Sequence, residues 1–259
     1  MPGLIRSPMS PVVTDAEPRP GGALRHPLVG IVGGMGPLAS AEFLRGLYAG
    51  GDWFAEQDSP RILLYSDPAV VDRTSALDRG AADELRRAVE LAVRRLVGAG
   101  AERVVIACVT AHHVFADLPP ELACRCVSLV DVIHDELDRA SAPHLLLCTS
   151  GAARAGIFSP DRFSPDRRRG AADRLVRLRA ADQEALHREI YRLKRGGEPL
   201  AGLDLLHRLQ VRYGVKASVA ACTELHLVAR AVDVIGLAGE FPMIDPLAIV
   251  ASRIRSAEL

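Results

Sequence analysis

Two cysteines occupy matching positions in segments that lie far apart in the chain. The segments are residues 104–112 (VVIACVTAH) and residues 218–226 (SVAACTELH). In each, a short apolar run precedes Ala-Cys, a Thr follows within two residues, and a His comes four residues after the cysteine. Such apolar runs are typical of strands buried on both faces of a parallel sheet. The match predicts two similar α/β halves, each with a cysteine where a strand ends and a helix begins.

This position favours chemistry at both sulfurs, Cys108 and Cys222. A thiol that faces the N-terminus of a helix ionises more readily, because the helix dipole stabilises negative charge. Two such thiols could face each other across a cleft, where one could take a proton from a carbon atom and the other could return a proton to the opposite face. We therefore predict that both are catalytic. Cys124, Cys126 and Cys148 have no such setting and are expected to be structural.

Composition limits the partners and the compartment. The 259 residues include 32 basic and 32 acidic side chains, so neither nucleic acid nor an anionic membrane surface is expected as a partner. Five cysteines are odd in number and too sparse for a disulfide framework, which favours a reducing cytoplasm. No apolar run reaches the roughly 18 residues of a membrane-spanning helix. Residues 1–26, rich in Pro, Gly and Arg, predict a disordered N-terminal tail without a signal peptide.

Strand and helix patterns alternate along the rest of the chain. Besides the two cysteine strands, we predict strands at residues 28–32, 61–65, 126–129, 144–148 and 234–237, helices at residues 38–48, 79–99, 131–139, 171–195, 200–213 and 247–257, and loops at residues 159–170 and 241–246. This alternation predicts two Rossmann-like α/β domains with mainly parallel sheets. The first would comprise residues 27–138 plus 240–259, and the second residues 139–239. The cleft at the carboxyl ends of the strands is the expected ligand site.

Other motifs allow more than one interpretation. Residues 34–39 (GMGPLA) fit a loose dinucleotide fingerprint, but no acidic residue ends the second strand at the expected distance. The same turn could instead bring backbone N–H groups to a small carboxylate, or be purely structural. Arg73, in a loop after the second strand, could bind a carboxylate bidentately. On spacing alone, Lys194 is an ordinary cation at the end of a helix, and His112 and His226 are either bases or helix-face residues. No metal-ligand spacing is present, so we expect no metal and no cofactor.

Taken together, these segments resemble the cofactor-independent (PLP-independent) aspartate/glutamate racemase family. The segments that carry the resemblance are residues 30–37 (GIVGGMGP), 65–68 (YSDP), 72–74 (DRT), 107–112 (ACVTAH), 190–194 (IYRLK) and 221–225 (ACTEL). They occur in the family's order and cover roughly residues 27–255. Residues 36–44 (GPLASAEFL) look most like aspartate racemases associated with peptide natural-product biosynthesis.

The resemblance implies a fold, a reaction and a set of site residues. It implies two domains related by a pseudo-twofold axis, usually in a homodimer, with Cys108 and Cys222 as the thiolate and thiol of a two-base racemase. Arg73 and Lys194 match positions that hold the side-chain carboxylate of the amino-acid substrate. Thr110 and Thr223 match positions near its α-carboxylate and amino group, and Met35 matches a residue of the first loop that lines the cleft. Thr149, in the exit turn of a strand, completes the predicted substrate-binding residues.

One departure from the family keeps the substrate open. Many members carry Asn directly after the first cysteine, whereas this chain has Val109, which neither donates nor accepts hydrogen bonds. His226 also replaces a residue that is often Pro. Aspartate is the expected substrate, with glutamate second. The alternatives are another isomerase, a lyase or a cyclising enzyme that acts on a carboxylate-bearing biosynthetic intermediate, a binding protein without turnover, and a nicotinamide-dependent enzyme.

Overall fold

A computed structural model describes residues 26–159 except 52 and 54, and residues 171–259 except 172. The predicted tail of residues 1–26 and the predicted loop of residues 159–170 lie outside the described residues, apart from their ends. In the described part, two four-stranded sheets form, and every paired strand is parallel to its neighbour. The predicted α/β fold with parallel sheets is confirmed.

The two sheets have equivalent strand orders. The first contains β1 (Val29–Gly33), β2 (Ile62–Ser66), β3 (Arg103–Ile106) and β4 (Cys126–Val127) in the order β2-β1-β3-β4. The second contains β5 (His144–Leu147), β6 (Leu175–Val176), β7 (Ala217–Ala220) and β8 (Met243–Ile244) in the order β6-β5-β7-β8. The strands before the two cysteines, β3 and β7, therefore hold the same place in their sheets.

Helices connect the strands, as parallel pairing requires. They are α1 (Pro37–Ala49), α2 (Arg73–Asp78), α3 (Ala82–Gly98), α4 (Pro120–Ala123), α5 (Leu129–Arg139), α6 (Ser150–Arg154), α7 (Ala180–Lys194), α8 (Leu203–Tyr213), α9 (Leu225–Val234) and α10 (Pro246–Arg255). Three 3₁₀ helices in the described residues cover Glu56–Asp58, Thr110–Asp117 and Pro199–Gly202. Side-chain caps begin several helices: Asp72 accepts the Ser75 N–H at α2, and Thr149 accepts the Ala152 N–H at α6.

The apolar core has three parts. A central cluster contains residues of both sheets together with α1, α5 and α10, among them Phe43, Val105, Leu146 and Val219. Each sheet has a further cluster on its other face: α3 packs there on the first sheet, while α7, α8 and α9 pack on the second. The central strands β1, β3, β5 and β7 are buried over most of their length and are mainly apolar, as the sequence pattern predicts.

The structure corrects three predicted elements. The predicted strand at residues 234–237 is wrong, because α9 continues to Val234; the last strand is instead β8, in the predicted loop of residues 241–246. The predicted helix of residues 171–195 begins only at Ala180, because residues 175–176 pair with β5 as strand β6. The predicted turn into a helix after Cys108 is a 3₁₀ helix. Short edge strands depend on a partner strand and leave little local signal.

The predicted domain division at residue 240 stays a prediction. Strand β8 pairs with β7 in the second sheet, whereas α10 packs against α1 and α5 on the first. The last segment of the chain therefore contributes to both halves. No described helix is long and apolar enough to cross a membrane.

The turn after β1 depends on glycine at position 34. Gly34 has φ +87°, and a Cβ there would lie 2.4 Å from the backbone carbon and nitrogen of Asp67. Gly80 has φ +70°, and no atom of the described residues lies within 4 Å of such a Cβ. Both Gly34→Ala and Gly80→Ala carry the left-handed backbone cost of about 1–2 kcal/mol, but only Gly34→Ala adds a steric overlap. We expect Gly34→Ala to lower the free energy of unfolding in urea clearly more than Gly80→Ala; equal losses would contradict the close approach.

Candidate active site

The two cysteines lie at equivalent ends of the two sheets. Cys108 follows β3 by two residues and Cys222 follows β7 by two residues. Both side chains are buried, at 4% and 3% exposure. The two thiols are close enough to interact electrostatically, since Cys108 contributes to the high pKa of Cys222. The structure thus brings together the two sulfurs that the sequence matched.

Arg73, the first residue of α2, lies beside Cys108. Its guanidinium donates to the backbone oxygen of Met35 at 2.7 Å and to that of Val71 at 3.3 Å, and its positive charge interacts with Cys108. Burial alone would lower the pKa of Arg73, but the fields of Cys108, Asp72 and Glu224 outweigh burial and raise it. Arg73 is therefore a fixed cation next to the first sulfur.

Lys194, the last residue of α7, is a second largely buried cation in the same cluster. Its Nζ lies 3.8 Å from Asp72 Oδ2 and 4.3 Å from the centre of the Tyr191 ring. Burial acts to lower the pKa of Lys194, but Glu224 and Cys222 outweigh burial and raise it. The positive charges of Arg73 and Lys194 repel each other, and the Arg73 charge acts to lower the pKa of Lys194. This pair of cations therefore depends on nearby anions.

Asp72 connects the loop after β2 to α7. Its Oδ1 accepts the Ser75 N–H at 2.9 Å, and its Oδ2 accepts the Tyr191 hydroxyl at 2.8 Å. Burial would raise the pKa of Asp72, but these hydrogen bonds and the charge of Lys194 keep it below its usual value. Asp72 and Tyr191 were quoted in the sequence motifs without a role, and together they join the two halves of the site.

Glu224 is the site residue that the sequence reasoning missed. The Cys222 thiol donates to Glu224 Oε2 at 2.8 Å, and the carboxylate is 2% exposed. Its Oε1 lies against Gly36 of the first loop, where an added Cβ would be only 2.3 Å away. The available sequence signal was an acidic residue two positions after Cys222, where the first segment has Thr110.

The predicted threonines and Met35 are all buried, but their surroundings differ. The hydroxyls of Thr110 and Thr149 lie 3.2 Å apart, and Thr149 also accepts a backbone N–H as the cap of α6. Thr223 Oγ1 is buried and has no hydrogen-bond partner among the described residues. Met35 holds Arg73 through its backbone oxygen and shares an apolar cluster with Cys108. Their contact with a substrate stays a prediction.

The two histidines form internal hydrogen bonds. Leu129 N–H donates to His112 Nε2 at 3.0 Å, so the proton of a neutral ring lies on Nδ1 and is donated to the Cys108 backbone oxygen at 2.9 Å. His226 Nδ1 donates to Asp245 Oδ2 at 2.6 Å, and Asp245 caps α10. Neither ring is hydrogen-bonded to a cysteine sulfur, which favours the interpretation of both as structural residues.

The described residues contain no group of three or more His, Cys, Asp or Glu side chains that could hold a metal ion. The charged groups around the two sulfurs are instead two cations and two carboxylates, Arg73, Lys194, Asp72 and Glu224. Such a site can hold anionic groups of a small molecule and exchange protons through sulfur.

His112 provides a test of this geometry. Burial lowers the pKa of His112 below its usual value of 6.5. Just below pH 6.5, His112 is therefore protonated in the unfolded chain but stays neutral in the folded protein. His112 should therefore reduce stability as the pH falls from 6.5 toward its folded pKa, and have no such effect above pH 6.5. His112→Gln can keep both hydrogen bonds without titrating, and should flatten the fall in unfolding free energy over this range. An identical pH dependence in both proteins would contradict the assignment.

The sequence and the fold of this chain are similar to those of known proteins. The profile of the family described as Asp/Glu/Hydantoin racemase matches residues 32–254. The fold is similar to that of an aspartate racemase from Picrophilus torridus, with TM-score 0.73 and 24% identity over 90% of this chain and 94% of that one. It is also similar to an aspartate racemase homologue from Pyrococcus horikoshii OT3, with TM-score 0.65 and 22% identity over 89% and 99%. A glutamate racemase from Campylobacter jejuni aligns with TM-score 0.56 and 16% identity over 87% and 84%.

Proposed function

The chain belongs to the Asp/Glu/hydantoin racemase family, an isomerase family that works without PLP, and from this premise we propose that it interconverts L- and D-aspartate through Cys108 and Cys222. One thiolate removes the α-proton, and the other sulfur, as a thiol, delivers a proton to the opposite face. The observation that carries the proposal is the pair of buried cysteines at equivalent strand ends, coupled to each other, with Arg73 beside Cys108 and Lys194 beside Cys222.

The chemical difficulty is the weak acidity of the α-proton, and the site offers charge to meet it. Removing the proton places negative charge on the α-carbon and its carboxylate, which fixed positive groups stabilise most strongly in a dry site. Arg73 and Lys194 are such groups, and both are largely buried. In this proposal they hold the side-chain carboxylate, while Thr110, Thr149, Thr223 and the N–H groups after the cysteines contact the α-carboxylate and amino group.

The substrate assignment rests on chemistry and on similarity. Two cations suit an amino acid with two carboxylates, and two of the similar structures are described as an aspartate racemase and an aspartate racemase homologue. Glutamate is the second choice, because a glutamate racemase also shares the fold. The association with peptide natural-product biosynthesis and the homodimer remain predictions that rest on the sequence resemblance.

Val109 favours one alternative. Its side chain is fully buried in the central apolar cluster, so the position after Cys108 offers a substrate no side-chain hydrogen bond. A substrate that does not need this contact would fit the same two thiols. The alternative is therefore an isomerase, lyase or cyclising enzyme that acts on another carboxylate-bearing intermediate.

The two-thiol mechanism predicts that neither cysteine is dispensable. In deuterated water, the protein should convert L-aspartate to D-aspartate with deuterium at Cα, measured by chiral chromatography and mass spectrometry. Cys108→Ala and Cys222→Ala should each lower the rate by about 10²–10⁴-fold, the usual loss on removing an acid or base. Cys126→Ala, on strand β4 of the first sheet, is the matched control and should keep the rate.

The outcomes separate the alternatives. Full racemisation by Cys222→Ala would overturn the two-base mechanism. No exchange with either L-aspartate or L-glutamate in the parent protein would contradict the proposed substrates and favour the alternative associated with Val109.

The role of Lys194 predicts a loss of substrate affinity. Lys194→Met removes one cation that is proposed to hold the side-chain carboxylate, and a hydrogen bond to a charged group contributes about 1.5–3 kcal/mol. We expect KM for aspartate to rise by about 10- to 150-fold. Arg195→Met removes the neighbouring exposed cation and should leave KM unchanged. A KM unaffected by Lys194→Met would exclude this role.

A further inference from the structure

The two cysteines occupy equivalent places in the fold, but their charged neighbours are opposite. The Cys222 thiol donates a hydrogen bond to the Glu224 carboxylate, with 2.8 Å between Sγ and Oε2. Cys108 instead lies beside the positive charge of the Arg73 guanidinium, and the two groups attract each other. An acceptor beside one sulfur keeps the proton on it, whereas a cationic donor beside the other sulfur stabilises a negative charge there.

Glu224 is buried among the charged groups of the site. The residue is 2% exposed, and its Oε1 lies buried against Gly36 with no hydrogen-bond partner in the part of the chain that the structure describes. Arg73 and Lys194 both interact with its charge. A buried carboxylate is costly unless it is compensated, so these contacts indicate that Glu224 has a definite task next to Cys222.

Electrostatics supports the same asymmetry. Burial raises the pKa of Cys222 well above its usual value, and the charge and hydrogen bond of Glu224 raise it further. Lys194 acts in the opposite direction, but it does not reverse the shift. The groups that face Cys222 are thus Glu224, Lys194 and Cys108, and their summed effect with burial favours the thiol.

We infer that Glu224 is a positioning residue that keeps Cys222 protonated in the resting enzyme, so that Cys108 removes the first proton and Cys222 returns one. The order of the two sulfurs rests on the proposed racemase, whereas the protonated state of Cys222 does not.

The proton balance of a cycle follows from this arrangement. The Cys108 thiolate takes the α-proton, so that an S–H bond forms as the Cα–H bond breaks. The Cys222 S–H bond then breaks as a new Cα–H bond forms on the opposite face, and leaves a Cys222 thiolate beside the Glu224 carboxylate. Because these like charges repel, the enzyme returns to its resting state when Cys222 takes a proton from water and Cys108 gives one to water.

The inference can be tested without turnover. Iodoacetamide alkylates thiolates, so the pH midpoint for labelling each cysteine, read by mass spectrometry of its peptide, reports its ionisation and not only its access. In the parent protein, the Cys222 midpoint should lie above 9.0, the usual pKa of a cysteine thiol. Glu224→Gln keeps the size and an acceptor but removes the charge, and should lower the Cys222 midpoint by at least about one pH unit, a tenfold change. Glu224→Asp keeps the charge and should restore part of the shift.

Cys124 is the internal reference, because it is exposed and lies outside the site, and its labelling should be the same in all three proteins. A Cys222 midpoint at or below 9.0 in the parent protein would overturn the inference, and so would a midpoint unchanged by Glu224→Gln. Both readings are independent of racemisation, so an inactive protein with the expected midpoints would refute the proposed function alone.

Discussion

The site depends on a buried cluster of opposite charges that joins distant parts of the chain. Arg73 and Lys194 supply the positive charges, and Asp72 and Glu224 supply the negative ones. Charged groups out of water are stable only when they are paired and hydrogen-bonded. The first loop, α2, α7 and the turn before α9 must therefore stay in register for any one of these charges to be compensated. This requirement holds the two halves of the site together around the sulfurs.

The strand order gives the two cysteines equivalent positions, and the side chains around them remove the equivalence. Strands β3 and β7 occupy the same place in their sheets, so each thiol emerges at the same edge. The residue two positions after each cysteine differs: it is Thr110 after Cys108 and Glu224 after Cys222. In the proposed reaction one sulfur begins ionised and the other protonated, and the unlike neighbours favour one of these two states in the resting protein. The repeated fold gives the sulfurs equivalent positions, and the neighbouring side chains make them chemically different.

The repeated histidines have a structural explanation that the sequence left open. His112 connects the turn after Cys108 to the start of α5, because it bonds both the Cys108 oxygen and the Leu129 N–H. His226 connects α9 to the cap of α10 through Asp245. Both rings therefore fix the chain just beyond a cysteine. Their matching spacing reflects similar demands on two similar turns.

Sequence alone determined the fold class and most long helices, and it predicted Cys108 and Cys222 as the reactive pair, because apolar periodicity and a repeated local pattern are encoded in neighbouring residues. It also indicated Arg73 and Lys194 through the family resemblance, although spacing alone gave Lys194 no special meaning. Only the tertiary structure decided that residues 175–176 and 243–244 are strands, since two-residue strands are defined by the partners they pair with. Only the structure showed that Glu224 accepts a hydrogen bond from the Cys222 thiol, while Arg73 lies beside Cys108. Contacts of this kind join residues far apart in the chain, and the charge around a buried sulfur is set by everything that packs against it.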